Sequence, residues 1–257
     1  NPVFAVEKLG QSIWYDNIRR GLITSGELQH MVEQDGLLGV TSNPAIFEKA
    51  VAGSTDYDAA IEALVAQGSP TADEIYERLA VEDIQMAADV LRPVYERTDG
   101  LDGYVSMEVS PYIAHDTQAT VDEARRLRQT IDRENVMIKV PSTAAGIPAV
   151  RQLISDGINI NATLLFAVES YEAVANAYIE GLEERARRGG DLGKVASVAS
   201  FFMSRIDSLV DQKLEEALDN TQDEERRTRL KLLIGKMAIA SGKVAYARYQ
   251  KIYAEPR

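Results

Sequence analysis

Apolar residues along the chain fall into two alternating kinds of segment. Short, mainly apolar runs are separated by longer stretches in which apolar positions recur every three or four residues. Six short runs stand out: SIWYD ending at Asp16, LLGVTSN ending at Asn43, GYVSMEV ending at Val109, VMIKV ending at Val140, INATLLF ending at Phe166 and VASVASFF ending at Phe202. Helical patterns lie between them, among them YDAAIEALVAQ from Tyr57 and a pair within TADEIYERLAVEDIQMAADVLRPVYER, where Thr71 and Glu74 can form a capping box. Strands alternating with helices predict an α/β protein built on a mainly parallel sheet. From about Asp223 to Tyr253 the pattern predicts one or two helices packed on that sheet, with no seventh strand after them.

Successive side chains of a strand point to opposite faces, so parity sorts each run. Tyr104, Ser106 and Glu108 share one face, opposite Val105, Met107 and Val109. Asn159, Asn161 and Thr163 fall together, opposite Ile158, Ile160, Ala162 and Leu164. Asp16 shares a face with Trp14 and Ser12, Asn43 with Thr41, Lys139 with Met137, and Ser200 with Phe202. Polar groups thus gather at or near the ends of the runs, as they do in a parallel barrel that builds its site at the carboxyl ends of its strands. No linker, repeat or low-complexity tract interrupts the chain, which predicts one domain over 1–257.

Composition narrows the chemistry. At 257 residues and 45% hydrophobic content the chain can bury a sizeable core. The absence of cysteine excludes disulfides, thiolate nucleophiles and cysteine zinc sites. A net charge of -12 argues against nucleic-acid partners, and the densest basic run, Arg185, Arg187 and Arg188, adjoins Glu183 and Glu184 as a solvated helix end would. No run approaches the roughly 20 apolar residues needed to cross a bilayer, and no basic-then-apolar leader opens the chain, so a soluble, cytoplasmic protein without membrane contact is expected.

Lys139 lies between Ile138 and Val140, where an ammonium would be partly stripped of water. Desolvation favours the neutral amine, the form that attacks a carbonyl to make an imine. A buried ion pair with Glu108 or Asp16 is the structural alternative. Those two carboxylates end otherwise apolar strands and could divide acid and base work, or could cap the adjoining helices. Asn43, Asn161 and Thr163 offer neutral donors and acceptors to substrate hydroxyls or to a water, with helix capping as the other use. Ser200 and Arg205, in ASFFMSRID, set a hydroxyl and a guanidinium at a predicted helix start, a natural phosphate site. Arg205 could instead pair with Asp207, Asp211 or a neighbouring helix.

Taken together, GVTSNPAIF, MIKVPSTAAGI, NINATLLF and SFFMSRID, in that order, resemble the transaldolase family over about residues 10 to 250. The resemblance implies a (β/α)8 TIM barrel. It also implies that Lys139 is the Schiff-base lysine, Glu108 an acid/base acting with a water, Asp16 the base of carbon-carbon cleavage, and Thr163 the residue that positions the water. Asn43 and Asn161 would hold a dihydroxyacetone portion, and Ser200 and Arg205 a phosphate, with Phe202 lining the pocket. The implied reaction, part of the pentose phosphate pathway, moves a dihydroxyacetone unit from sedoheptulose 7-phosphate to glyceraldehyde 3-phosphate with no metal or cofactor. That agrees with a sequence holding only His30 and His115 and neither an HExxH nor a GxxxxGK[ST] motif.

Two departures from the family pattern stand out. Phe201 occupies a position where many relatives carry Pro, and six strands are predicted where the family barrel has eight, the other two carrying a further phosphate-binding Arg. A barrel lacking its last two strands would need another chain or segment over its open edges, and a homo-oligomer is one way to supply it. Two other readings stay open: a fructose 6-phosphate aldolase-like enzyme, whose members usually have Gln where Glu108 stands, and an inactive truncated barrel or part of a fused sugar-phosphate enzyme.

Overall fold

A parallel neighbour can be reached only through a crossover of about a dozen residues or more, and every gap between the predicted strands is long enough for one. The computed structural model describes residues 1–255. It contains six strands, β1 (Trp14–Asp16), β2 (Gly39–Thr41), β3 (Val105–Glu108), β4 (Val136–Pro141), β5 (Ile160–Leu165) and β6 (Ser197–Phe201), in one sheet in sequence order. Each neighbouring pair is parallel. Among the described residues no pairing joins β6 to β1, so the strands form an open part of a barrel. The sheet is nonetheless curled. Trp14 of β1 and Val198 of β6 pack on the same buried group, Tyr95, Tyr104 and Met137, from opposite ends of the strand order.

Helices fill the crossovers and flank the sheet in sequence, α1 before β1 and α10 to α12 after β6: α1 (Pro2–Glu7), α2 (Arg20–Thr24), α3 (Glu27–His30), α4 (Pro44–Ala52), α5 (Asp58–Ala66), α6 (Ala72–Arg97), α7 (Thr117–Ile131), α8 (Gly146–Asp156), α9 (Val168–Arg187), α10 (Ser204–Asp219), α11 (Glu224–Leu233) and α12 (Met237–Tyr253). None is long and apolar enough to cross a membrane. The Thr71 and Glu74 capping box forms as predicted. Residues 72–97 make one helix and not a pair, because the buried stripe of Leu79, Ile84, Ala87, Leu91 and Val94 runs through without a break and Pro93 comes only near its end. The segment after Asp223 gives two helices, of which α12 packs mainly against α9 and α10.

The predicted parity holds on β3 and β4. Val105, Met107, Val109, Val136, Ile138 and Val140 join the main core under α6, α7 and α8, while Tyr104 and Met137 form the separate inner group. On β5 the alternation fails at one residue. Leu164 adopts a left-handed φ of 61° and the pairing with β6 shifts between Ala162 and Leu165. Leu165 therefore joins Ala162 in the buried outer layer, and Leu164 is 43% exposed instead of lying under the helices. A bulge of this kind inserts one residue into the period and re-aims the side chains beyond it.

The chain leaving β1 is tied to α6 by a buried network. Arg20 Nε donates to Asp83 Oδ1 at 2.7 Å, Tyr57 Oη donates to Asp83 Oδ2 at 2.7 Å, and Tyr57 Oη accepts from the Arg20 backbone N–H at 3.0 Å. Asp83 is fully buried, so its charge depends on these partners. Arg20→Met, which strands that carboxylate, is expected to lower the unfolding free energy by about 3 kcal/mol, and Tyr57→Phe by about 1 kcal/mol, in urea denaturation.

Candidate active site

The inner face of the sheet is where polar side chains converge. Lys139 stands in register between Glu108 on β3 and Asn161 on β5. It is 5% exposed. Its Nζ lies 3.6 Å from Glu108 Oε2 and donates to the Ser42 carbonyl at 3.2 Å. A buried ammonium with no partner would cost several kcal/mol, so these two acceptors are what allow the lysine its place. Burial pushes the Glu108 carboxyl above the usual carboxylate range; the Lys139 charge opposes that push, and the Asp16 charge adds to it.

Asp16 ends β1 as predicted and is exposed, with Oδ1 accepting from Thr41 Oγ1 at 3.0 Å. Asn161, nearly fully buried, is held at both ends of its amide: Nδ2 donates to Ser106 Oγ at 3.1 Å and Oδ1 accepts from Ser200 Oγ at 2.7 Å. Thr163 Oγ1 is buried with no protein partner among the described residues. Lys139, Glu108, Asn161 and Ser200 thus meet through direct contacts or register. Thr163 comes two positions after Asn161 on the same strand, and Asp16 reaches Glu108 through its charge.

Asn43 takes the capping role. Strand β2 stops at Thr41, two residues short of the predicted end, and Asn43 Oδ1 accepts from the Ile46 N–H at 3.0 Å as the N-cap of α4. That leaves the amide nitrogen uncommitted by the cap. At the other edge β6 stops at Phe201, so Phe202 lies on the loop. Phe166 stacks on Phe202 with ring centroids 5.0 Å apart, and the Arg205 guanidinium sits 4.6 Å from the Phe202 centroid. Arg205 occupies the first turn of α10, where amide N–H groups and the helix dipole favour an anion. The two nearby carboxylates that could have paired with it are engaged elsewhere, Asp207 accepting from the Ala238 N–H at 2.7 Å and Asp211 from the Gly235 N–H at 3.0 Å. Ser200 donates to Asn161 and so is tied to the centre of the site as well as to its rim.

Four residues near this centre carry little or no signal in the sequence. Ser106 lies on the Glu108 face, which is its only mark. Ser42 acts through its carbonyl, which has no residue signature, while its hydroxyl donates to the Ser106 carbonyl at 2.7 Å. Phe166 resembles an ordinary strand end. Tyr76 on α6 feels the site through charge: burial, and then the Glu108 charge, push its phenol up to about 12. A cavity of about 580 Å³ opens at the opposite end of the sheet, among Tyr104, Glu134, Met137 and Val195, and none of the candidate residues lines it.

Residues 13–255 match the model of the transaldolase/fructose-6-phosphate aldolase family. The chain belongs to that family. It is 54% identical over 257 residues to the transaldolase of Trichodesmium erythraeum, covering 100% of this chain and 67% of that one. Transaldolase 2 of Nostoc sp. is 55% identical over 253 residues, with 98% of this chain and 66% of the relative covered. The transaldolase of Saccharopolyspora erythraea is 43% identical over 253 residues, with coverage of 98% and 66%. The chain spans about two thirds of the length of these curated relatives.

For a transaldolase-family site, the proton affinity of Glu108 is the quantity to measure. The native state keeps this proton to a higher pH than the unfolded chain does, so Glu108 costs stability as pH rises from the ordinary carboxylate value through the native one. Carbon-detected NMR of the side-chain carboxyl should show Glu108 titrating above the ordinary range, lower in Asp16→Asn and higher in Lys139→Met. Urea midpoints from about pH 4 to about pH 7 should show the matching sign, with Asp16→Asn losing less stability than the parent.

Proposed function

We propose that the chain is a transaldolase acting through a lysine imine, with sugar phosphates as its substrates. The observation that carries this reading is Lys139: an amine nearly removed from solvent, in register with a carboxyl whose proton affinity is raised, on the inner face of a parallel barrel sheet. In this reading the Lys139 amine attacks the ketone carbon of sedoheptulose 7-phosphate. Glu108, through a water, moves the protons that convert the carbinolamine to the imine with loss of water. Asp16 takes the proton from the hydroxyl beyond the bond to be broken. That carbon-carbon bond cleaves, its electron pair passes into the imine to give an enamine, and erythrose 4-phosphate leaves.

The enamine then adds to the carbonyl of glyceraldehyde 3-phosphate, and hydrolysis of the new imine releases fructose 6-phosphate and restores the amine. Thr163 Oγ1, buried without a protein partner, supports a water beside the lysine, since a buried hydroxyl needs a hydrogen-bond partner. Asn161, and the Asn43 amide nitrogen left over from capping, are suited to the hydroxyls of the three-carbon unit. Arg205 and the α10 terminus are suited to a phosphate, above the Phe202 ring. A group with a tuned proton affinity typically speeds a proton-transfer step by roughly 100 to 10,000 fold, which sets what is asked of Glu108 and Asp16.

The presence of Glu rather than Gln at position 108 favours transfer over simple aldol cleavage. Borohydride with fructose 6-phosphate is expected to add a stable mass at Lys139 in the parent and none in Lys139→Arg, read by peptide mass spectrometry. Absence of trapping in the parent would remove the imine reading. Steady release of free dihydroxyacetone without an acceptor aldehyde would replace the transferase with an aldolase.

A further inference from the structure

Ser106 is fully buried on β3, between Tyr104 below it and Glu108 above it on the same face. The inner layer at its level is apolar: Met137 lies beside it in register, and Tyr104 and Met137 pack together. A hydroxyl in such a place costs free energy unless it is hydrogen-bonded, and an alanine would carry no such cost. The bond Ser106 Oγ makes is to Asn161 Nδ2, at 3.1 Å, across the intervening strand β4. Asn161 is held from its other side by Ser200 Oγ at 2.7 Å. The three side chains form a string running obliquely across the inner face. It starts one layer below Lys139, passes through Asn161 in register with Lys139, and ends on β6.

This string determines how Asn161 presents itself. An unrestrained asparagine amide can swing about its broad terminal torsion. Here Ser106 Oγ and Ser200 Oγ bond the two ends of the amide at once, so its plane is fixed. One N–H and one lone pair are left over, beside Lys139. The residue in register with Lys139 is the asparagine between the two serines.

We propose that Ser106 is a positioning residue that acts through Asn161, fixing the plane of the amide so that its free edge meets a hydroxyl of the ketose held on Lys139. The proposal rests on the imine reading for its consequence in substrate binding, and on geometry alone for the orientation of the amide. Loss of the Ser106 hydroxyl lets the amide swing out of that plane, which weakens donor binding without touching the amine or the carboxylates that carry the chemistry.

The test titrates fructose 6-phosphate under borohydride with the 257-residue chain and reads labelling of Lys139 by mass. Ser106→Ala is expected to raise the half-saturating concentration about tenfold, equivalent to about 1.4 kcal/mol, with full labelling at saturation and a Tm lowered by no more than a few degrees. Ser106→Cys, a weaker acceptor of similar size, should fall between parent and Ser106→Ala. The double variant Ser106→Ala/Asn161→Ala should match Asn161→Ala alone. Additive effects would mean that Ser106 touches substrate or structure directly, and would overturn the proposal, as would an unchanged half-saturation in Ser106→Ala. Hydrogen exchange of the Asn161 side-chain amide, tracked by NMR without any sugar, reads the orientation itself. It should be slow in the parent and fast in Ser106→Ala, and equal rates would overturn the proposal. If the parent traps no ketose phosphate the imine reading falls, and the amide exchange alone decides whether Ser106 orients Asn161.

Discussion

The constraint on which the site depends is that an ammonium has been placed where water hardly reaches. Lys139 is tolerated there because two different elements bring it an acceptor, Glu108 from β3 and the Ser42 carbonyl from the turn after β2. Both arrive by strand register and not by local sequence. A slip of one residue between β3 and β4 would turn either the lysine or the glutamate outward into the apolar layer under α6, α7 and α8. The outer valines and isoleucines of β3 and β4 hold that register, so the ordinary hydrophobic core keeps the charged pair aligned. The Asp83 network acts on the neighbouring edge in the same sense, tying the chain that leaves β1 to α6.

Much of this is legible in the residues, and parity is the reason. A strand with one polar and one apolar face announces which side chains share a surface, so Ser106 and Glu108, Lys139 and Met137, and Asn161 and Thr163 sort correctly without any knowledge of the fold. Three things stay hidden. The bulge at Leu164 inserts a residue into the period, and a two-residue alternation carries no sign of it. The strand ends at Thr41 and Phe201 are set by where ladder bonds stop, and Asn43 satisfies the start of α4 with the side chain that looked like a strand terminus. Contacts such as Ser106 with Asn161, 55 positions apart, arise only when the sheet brings them together. Arg205 shows the converse limit. Its acidic neighbours at 207 and 211 suggest a pair, but helix geometry aims them at the backbone where α12 begins.

The site grades from a dry centre to a wet rim. Lys139, Asn161 and Thr163 are buried on the middle strands, Glu108 and Ser200 are partly covered, and Asp16 and Arg205 are exposed on or beyond the edge strands. Such a gradient suits a reaction that keeps one fragment attached while another comes and goes. In the proposed reaction, hydrogen bonds to the attached fragment would act where solvent competes least, whereas the exchanging phosphate would meet a cation over an aromatic ring, which can bind without burying its charge.

Glu108 gives this gradient a consequence for the chemistry. Burial raises its affinity for a proton, and the positive charge on Lys139 lowers it. In the imine reading that charge is not constant: it is present on the protonated imine and absent from the neutral enamine formed when the carbon-carbon bond breaks. With the nitrogen neutral, the force opposing burial disappears and Glu108 holds a proton more firmly. When the enamine adds to the incoming aldehyde and the nitrogen regains its charge, the carboxyl lets that proton go more readily. The carboxyl is therefore biased toward the acid form while the enamine waits and toward the base form when the imine must be hydrolysed. This alternation needs no movement of the backbone. It comes from holding one acid and one amine 3.6 Å apart in a poorly solvated layer, where each group's charge sets the other's proton affinity.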